Sequence, residues 1–211
     1  MSDAYQARLA MVRDQIESRK IRDPAVLAAM RTVPRHLFVP ADAAAEAYGD
    51  HALGIGWKGT ISQPYVVAHM TELCELKAGD RVLEVGTGSG YQAAVLAEIT
   101  DRVLTIEISE PLLRRAALRL TRLHYDVKLR WGDGGHGWPE AAPFDAIVVT
   151  AAPAHRVPQA LFDQLAPGGR LVAPVGEARQ RLELFVRRDG KIVRSRGAGV
   201  RFVPMVGTGS V

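Results

Sequence analysis

The chain has 211 residues, 47% apolar and 24% charged, the balance of one globular domain and not of a disordered chain. At this length folding buries about 70% of the extended-chain surface, and the single cysteine, Cys74, excludes both an internal disulfide framework and a zinc site of several cysteines. The net charge is +4, with 22 arginines among 27 basic residues; they are spread over several segments, which argues against a nucleic-acid binder.

The first fifteen residues mix charges with Leu9, Met11 and Val12 and carry no apolar core of a secretory signal. The longest charge-free apolar stretch, Ala146 to Ala154, is far shorter than the ~20 residues of a membrane span. A reducing, cytoplasmic setting with no membrane partner is the expectation. Leu9, Val12 and Ile16 share one helical face, and Asp23-Pro24 opens a second helix. Pro34 and Pro40 bracket an irregular connector. Thr60-Ile61-Ser62-Gln63-Pro64 reads as the capped start of a third helix carrying Val67, Met70 and Cys74. Up to Gly79 the signals are helical, without strands.

After Gly79 strands and helices alternate. Strands are predicted at 81–85, 103–108, 127–131, 146–150 and 170–174, with helices at 93–98, 111–123 and 158–165. Short apolar strands separated by helices mean a parallel sheet covered on both faces. Residues 182–186 and 192–194 flank Asp189-Gly190, a hairpin signal, and 201–206 reads as one more extended segment. The fold class is α/β: a doubly wound, mostly parallel, Rossmann-like sheet with a helical N-terminal extension and an antiparallel C-terminal edge. One domain spans 1–211. Its parts are the extension (1–78), an α/β core expected to bind a cofactor (79–176) and a C-terminal hairpin with the extended segment after it (177–211).

The strongest motif is Glu84-Val85-Gly86-Thr87-Gly88-Ser89-Gly90, between a predicted strand and a helix. Glycines there let backbone approach a ligand, although tight strand-to-helix turns also occur without one. The spacing is GxGxG, and Tyr91 stands where a dinucleotide loop needs its last glycine. An acidic residue beside the turn is unhelpful to a pyrophosphate. It suits S-adenosylmethionine, which has no phosphate and carries an amine and a sulfonium. Glu107 ends the next strand, 21 residues after Gly86. It is either a helix-start acid or an acceptor for two ribose hydroxyls, and the loop favours the second. Gly132-Asp133-Gly134 is either an ordinary turn or an acceptor for an adenine amino group. The six histidines show no metal-ligand spacing, so no metal is expected. Cys74 reads as a packing residue, and Trp131 and Trp138, flanking the Gly132-Asp133-Gly134 turn, read as core packing or, as the alternative, as cover for the adenine.

These pieces resemble the protein-L-isoaspartate O-methyltransferases over nearly the whole chain. The resemblance rests on Arg35-His36-Leu37-Phe38-Val39-Pro40, Thr60 to Pro64, Val82 to Tyr91, Gly132-Asp133-Gly134, Pro167 to Val172 and Phe202-Val203-Pro204, in that order. It implies a repair enzyme methylating the free α-carboxylate of isoaspartyl residues in damaged peptides with S-adenosyl-L-methionine, and a monomer is expected. It implies that Ser62 is the active-site residue, with Thr60 and Ile61 over the methyl donor. Gly86 and Gly88 would face the methionine half, Glu107 would hold the ribose, and Asp133 with Gly134 the adenine, with Glu84, Thr87 and Ile108 also in the cofactor site. Val203 and Pro204 would border the peptide. The C-terminal strand order is left open. Taken alone, Ser62 before Gln63-Pro64 also reads as a helix N-cap. The sequence departs from the family at His51-Ala52-Leu53 and Trp57-Lys58-Gly59, where Arg-Pro-Leu and His-Gly-Gln are usual. That departure motivates the alternative, a carboxyl methyltransferase of the same fold with another substrate.

Overall fold

The computed structural model describes residues 3–207; the first two and last four residues of the terminal segments lie outside the described residues. The chain opens with α1 (Asp3–Met11), which runs on in helical turns to Arg19. Asp23 caps α2 (Pro24–Thr32): its carboxylate accepts from Ala25 N at 2.8 Å and Val26 N at 3.1 Å. Pro24 sits in the first turn, where its missing N–H leaves nothing unpaired.

The extension is not purely helical, which corrects the sequence expectation. Leu53–Gly56 (β1) and Gly59–Ile61 (β2) form an antiparallel hairpin. Its tip is Trp57-Lys58, with φ of +46° and +59°. Such a two-residue turn is normally announced by Asn-Gly or Asp-Gly. Here two bulky residues occupy it, and Gly54, Gly56 and Gly59 dilute the apolar alternation of Leu53, Ile55 and Ile61. The helix α3 (Pro64–Leu73) follows.

The alternation beyond Gly79 is as predicted: β3 (Arg81–Val85), α4 (Tyr91–Ala97), β4 (Arg102–Glu107), α5 (Glu110–Arg122), β5 (Val127–Trp131), β6 (Phe144–Val149), α6 (Gln159–Asp163), β7 (Leu165–Val175), β8 (Gln180–Arg188) and β9 (Lys191–Val200). β7 starts earlier than predicted and shortens α6, because Leu165 already pairs with Phe144 of β6. The sheet order is β5-β4-β3-β6-β7-β8-β9. β5 to β7 run parallel, and β8 and β9 are antiparallel. The C-terminal order is therefore a plain meander.

The two faces of the sheet have separate cores. Val82 and Val103 pack with Ile16, Met30, Val67 and Leu96, whereas Leu83, Val85 and Ile106 pack with Ile147, Leu161 and Phe185. The N-terminal helices thus share a core with the sheet. Buried Cys74 belongs to the first cluster, and burial pushes its thiol up to about 12. Among the described residues no helix is long and apolar enough to cross a membrane.

Candidate active site

In an open parallel sheet the ligand crevice lies at the carboxyl ends of the strands, where the order reverses. β3 is that point: β4 pairs on one side and β6 on the other. The glycine loop leaves β3 there. Gly86 has φ +100°, and a Cβ on it would collide with Thr150 Oγ1 after β6. Gly86 N donates to Ile106 O at 2.8 Å, tying the loop to β4. Gly134 lies so close that a Cβ would collide with Val85 Cγ1. At these two points the missing side chains let the loop backbone pack against Thr150 and Val85.

Glu107 is 6% exposed. Its Oε2 accepts Gly88 N at 2.8 Å and its Oε1 accepts Ser109 N at 2.9 Å. A carboxylate offers about four acceptor positions, so capacity remains on both oxygens. Asp133 lies beyond β5; its Oδ1 accepts Gly135 N at 2.8 Å. Ile108 is exposed beside Trp131, whose indole N–H donates to Ile108 O at 3.1 Å. Trp131 is 62% exposed, so its expected role in core packing is corrected. It ends β5 at the sheet margin, where no layer covers it. Trp138 does lie at the edge of the second core.

Glu84 and Thr87 sit under the loop. By strand alternation Glu84 shares a face with Val82, and Thr105 beside it on β4 donates to Glu84 Oε2 at 2.6 Å. Thr105 also bonds Thr87 Oγ1 at 2.7 Å. Glu84 is fully buried, and its Oε1 has no hydrogen-bond partner. Burial raises its carboxyl to about 8; the Thr105 bond lowers it and nearby Glu107 raises it further. A cation brought to the loop would favour its ionised form.

β2 divides this crevice from a second cavity. On one side, a Cβ on Gly88 would lie 3.8 Å from Thr60 O and 3.7 Å from Ile55 Cδ1. On the other, Thr60, Ser62, Gln63, Phe202 and Val203 line an open groove of about 880 Å³. Ser62 is half-buried. It is not a helix cap: α3 begins at Pro64 and its N-cap is Gln63, with no side-chain capping bond. The side chain of Gln63 turns instead to Asp50, donating to Asp50 O at 3.1 Å and Oδ1 at 2.8 Å. Arg19 pairs with the same carboxylate.

The C-terminal segment closes the far side. Val203 O accepts Ala152 N and Met205 N donates to Ala152 O, both at 2.8 Å. Pro204 is thereby bridged to Ala152 beyond β6. Gly207 then lies against the Asp133 carboxylate: a Cβ on it would be 2.5 Å from both oxygens.

This geometry can be set beside known proteins. Residues 6–210 match the profile of the protein-L-isoaspartate(D-aspartate) O-methyltransferases. The chain belongs to that family. A protein-L-isoaspartate O-methyltransferase of Opitutus terrae is 59% identical over 197 residues, covering 92% of this chain and 84% of its own. One from Picosynechococcus is 52% identical, covering 95% and 90%. A solved protein-L-isoaspartate O-methyltransferase superposes with TM-score 0.83 at 30% identity, over 97% of this chain and 66% of its own. A Plasmodium falciparum structure, described as such an enzyme in complex with S-adenosyl-L-homocysteine, gives 0.82 at 26% identity, covering 98% and 99%.

Within this family member the structure brings Thr60, Ile61 and Ser62 between loop and groove, and Glu107, Ile108, Asp133 and Gly134 around the crevice. Val203 reaches the groove, while Pro204 lies outside its lining. Sequence reasoning missed the Arg19–Asp50–Gln63 chain and the Gly207 contact. Arg19 and Asp50 carry no motif of their own. Gly207 follows the Phe202-Val203-Pro204 motif closely enough that its nearness to the site was the available signal.

Proposed function

We propose that the chain transfers a methyl group from S-adenosyl-L-methionine to the free α-carboxylate of L-isoaspartyl residues in damaged peptides and proteins, leaving S-adenosyl-L-homocysteine. The observation that carries this is the position of Thr60-Ile61-Ser62, one strand thick between a glycine-loop crevice and a groove open to solvent. A peptide in the groove can meet a methyl donor in the crevice only there.

The residues fit the donor. Glu107 retains acceptor capacity for the ribose hydroxyls, and Asp133 with Gly134, just beyond β5, would face the adenine. Glu84, with Oε1 unpartnered, supports a cationic group over the loop. S-adenosylmethionine supplies an electrophilic methyl on a sulfonium. The acceptor carboxylate has a pKa near ~4 and is ionised at neutral pH, so no general base is needed. Ser62 donates a hydrogen bond that fixes one carboxylate oxygen toward the methyl. The β1–β2 hairpin and the 203–207 segment exclude water, so the chain contributes orientation and fixed dipoles. The methyl ester then closes to a succinimide as the neighbouring backbone nitrogen displaces methanol. Water reopens the ring, partly to normal aspartate, without further help.

This reading has the chain act in the cytoplasm as a monomer, without nucleic acid or membrane partners. The lone unpaired Cys74 and the dispersed basic residues support it. Labelled methyl transfer to an L-isoaspartyl peptide, run beside its L-aspartyl twin, tests the function. Transfer to the first alone, as a base-labile ester, is expected. Equal transfer to both would favour another carboxylate as the natural acceptor.

A further inference from the structure

The wall of the groove opposite Ser62 holds a charge arrangement that methyl transfer itself does not require. β8 and β9 pair with Gln180 opposite Val200 and Arg181 opposite Gly199. Arg181 is the second residue of β8, and Arg179 lies in the bend just before that strand. Arg201 directly follows β9, next to the Gln180–Val200 pair that ends the ladder. All three line the groove and are exposed. Gln180 between them is buried and makes the wall rigid: its Oε1 accepts Phe202 N at 2.6 Å and its Nε2 donates to Phe202 O at 3.0 Å.

Among the described residues, none of these arginines has an acidic partner within ion-pair distance. The acid in the groove lining, Asp50, is already held by Arg19 and Gln63. An isoaspartyl residue brings one free α-carboxylate, and that group belongs at Ser62. The wall is left with cationic charge for other anions on the same peptide.

We propose that the groove selects isoaspartyl sites in acidic sequence, with Arg179, Arg181 and Arg201 holding the carboxylates of neighbouring Asp or Glu side chains. The selectivity rests on the isoaspartyl reading above. Three peptides of equal length test it, each with a central isoaspartate flanked on both sides by Glu, Gln or Lys. At low salt kcat/KM is expected to be about tenfold higher for the Glu than for the Lys peptide, the scale of a few exposed ion pairs. The ratio should shrink at 1 M salt, where screening acts within about 3 Å. In the double variant Arg179→Gln, Arg201→Gln the ratio should fall to within about twofold of unity. Each ratio is taken within one protein, so a loss of folded enzyme cancels. Equal kcat/KM on all three peptides in the unaltered enzyme overturns the proposal, as does a preference that survives in the double variant. Absence of transfer to any peptide, with S-adenosylhomocysteine still bound, overturns the isoaspartyl reading and this selectivity with it.

Discussion

Single side chains set the chemistry. Ser62 stands free of helix capping, so Ser62→Ala should leave the melting temperature and S-adenosylhomocysteine affinity nearly unchanged. The rate should fall by about 10²-fold, the scale of one lost donor at a reacting carboxylate. A protein that unfolds instead would restore a structural role for this serine. Glu107→Ala removes the acceptor for two loop amides. It should weaken S-adenosylhomocysteine binding by about 1–3 kcal/mol, read by calorimetry. Glu84 gives a pH signature. Its folded carboxyl keeps its proton up to about 8, against 4.5 unperturbed. The unfolded chain therefore releases that proton first as pH rises. The stabilising contribution is complete below 4.5 and is lost between 4.5 and about 8. Glu84→Gln cannot ionise, so its stability relative to the unaltered chain should improve across that window in denaturant titrations. A constant difference would show that Glu84 is ionised in the fold.

Elements decide where those side chains meet. The β1–β2 hairpin turns on Trp57 and Lys58 in left-handed backbone, and Arg115 of α5 lies over the Trp57 ring at 5.0 Å. A non-glycine residue there costs about 1–2 kcal/mol, whereas glycine adds about 0.5–1 kcal/mol of unfolded-state entropy. Lys58→Gly should therefore stabilise by roughly 0.5–1 kcal/mol, seen as a higher urea midpoint with an unchanged slope. The hairpin was illegible in sequence for the same reason: its tip carries no turn residues. The parallel strands were legible because burial on both faces demands apolar runs, which Ala146 to Val149 displays and Val82 to Val85 interrupts only at Glu84. Site residues attached to those strands, Glu107 and Asp133, could be placed by order alone. Ser62 could not: distinguishing a cap from a groove residue needed the start of α3 at Pro64. Arg35 was quoted only as part of a motif. It is fully buried, donates from Nε to Ala47 O at 2.7 Å and lies over the Tyr91 ring at 4.8 Å, so it braces the start of α4 just after the glycine loop.

At the scale of the molecule, the helical extension and the sheet share one apolar cluster. Thermal unfolding should accordingly show a single transition. S-adenosylhomocysteine at a hundredfold excess over its Kd should add about 2.7 kcal/mol, or a rise of roughly 5–10 °C, with NAD giving none. Two transitions, with the ligand moving only one, would make the extension an independent unit.

The meander leaves β9 as an unpaired margin of the sheet, ten residues long and mostly exposed. An open strand of that length is a template on which a second chain can add. Lys191, Arg194 and Arg196 lie along it. Antiparallel addition of another copy near its middle would set arginine against arginine. Self-association through this margin is therefore electrostatically discouraged, most strongly in dilute buffer, and concentrated salt removes that protection.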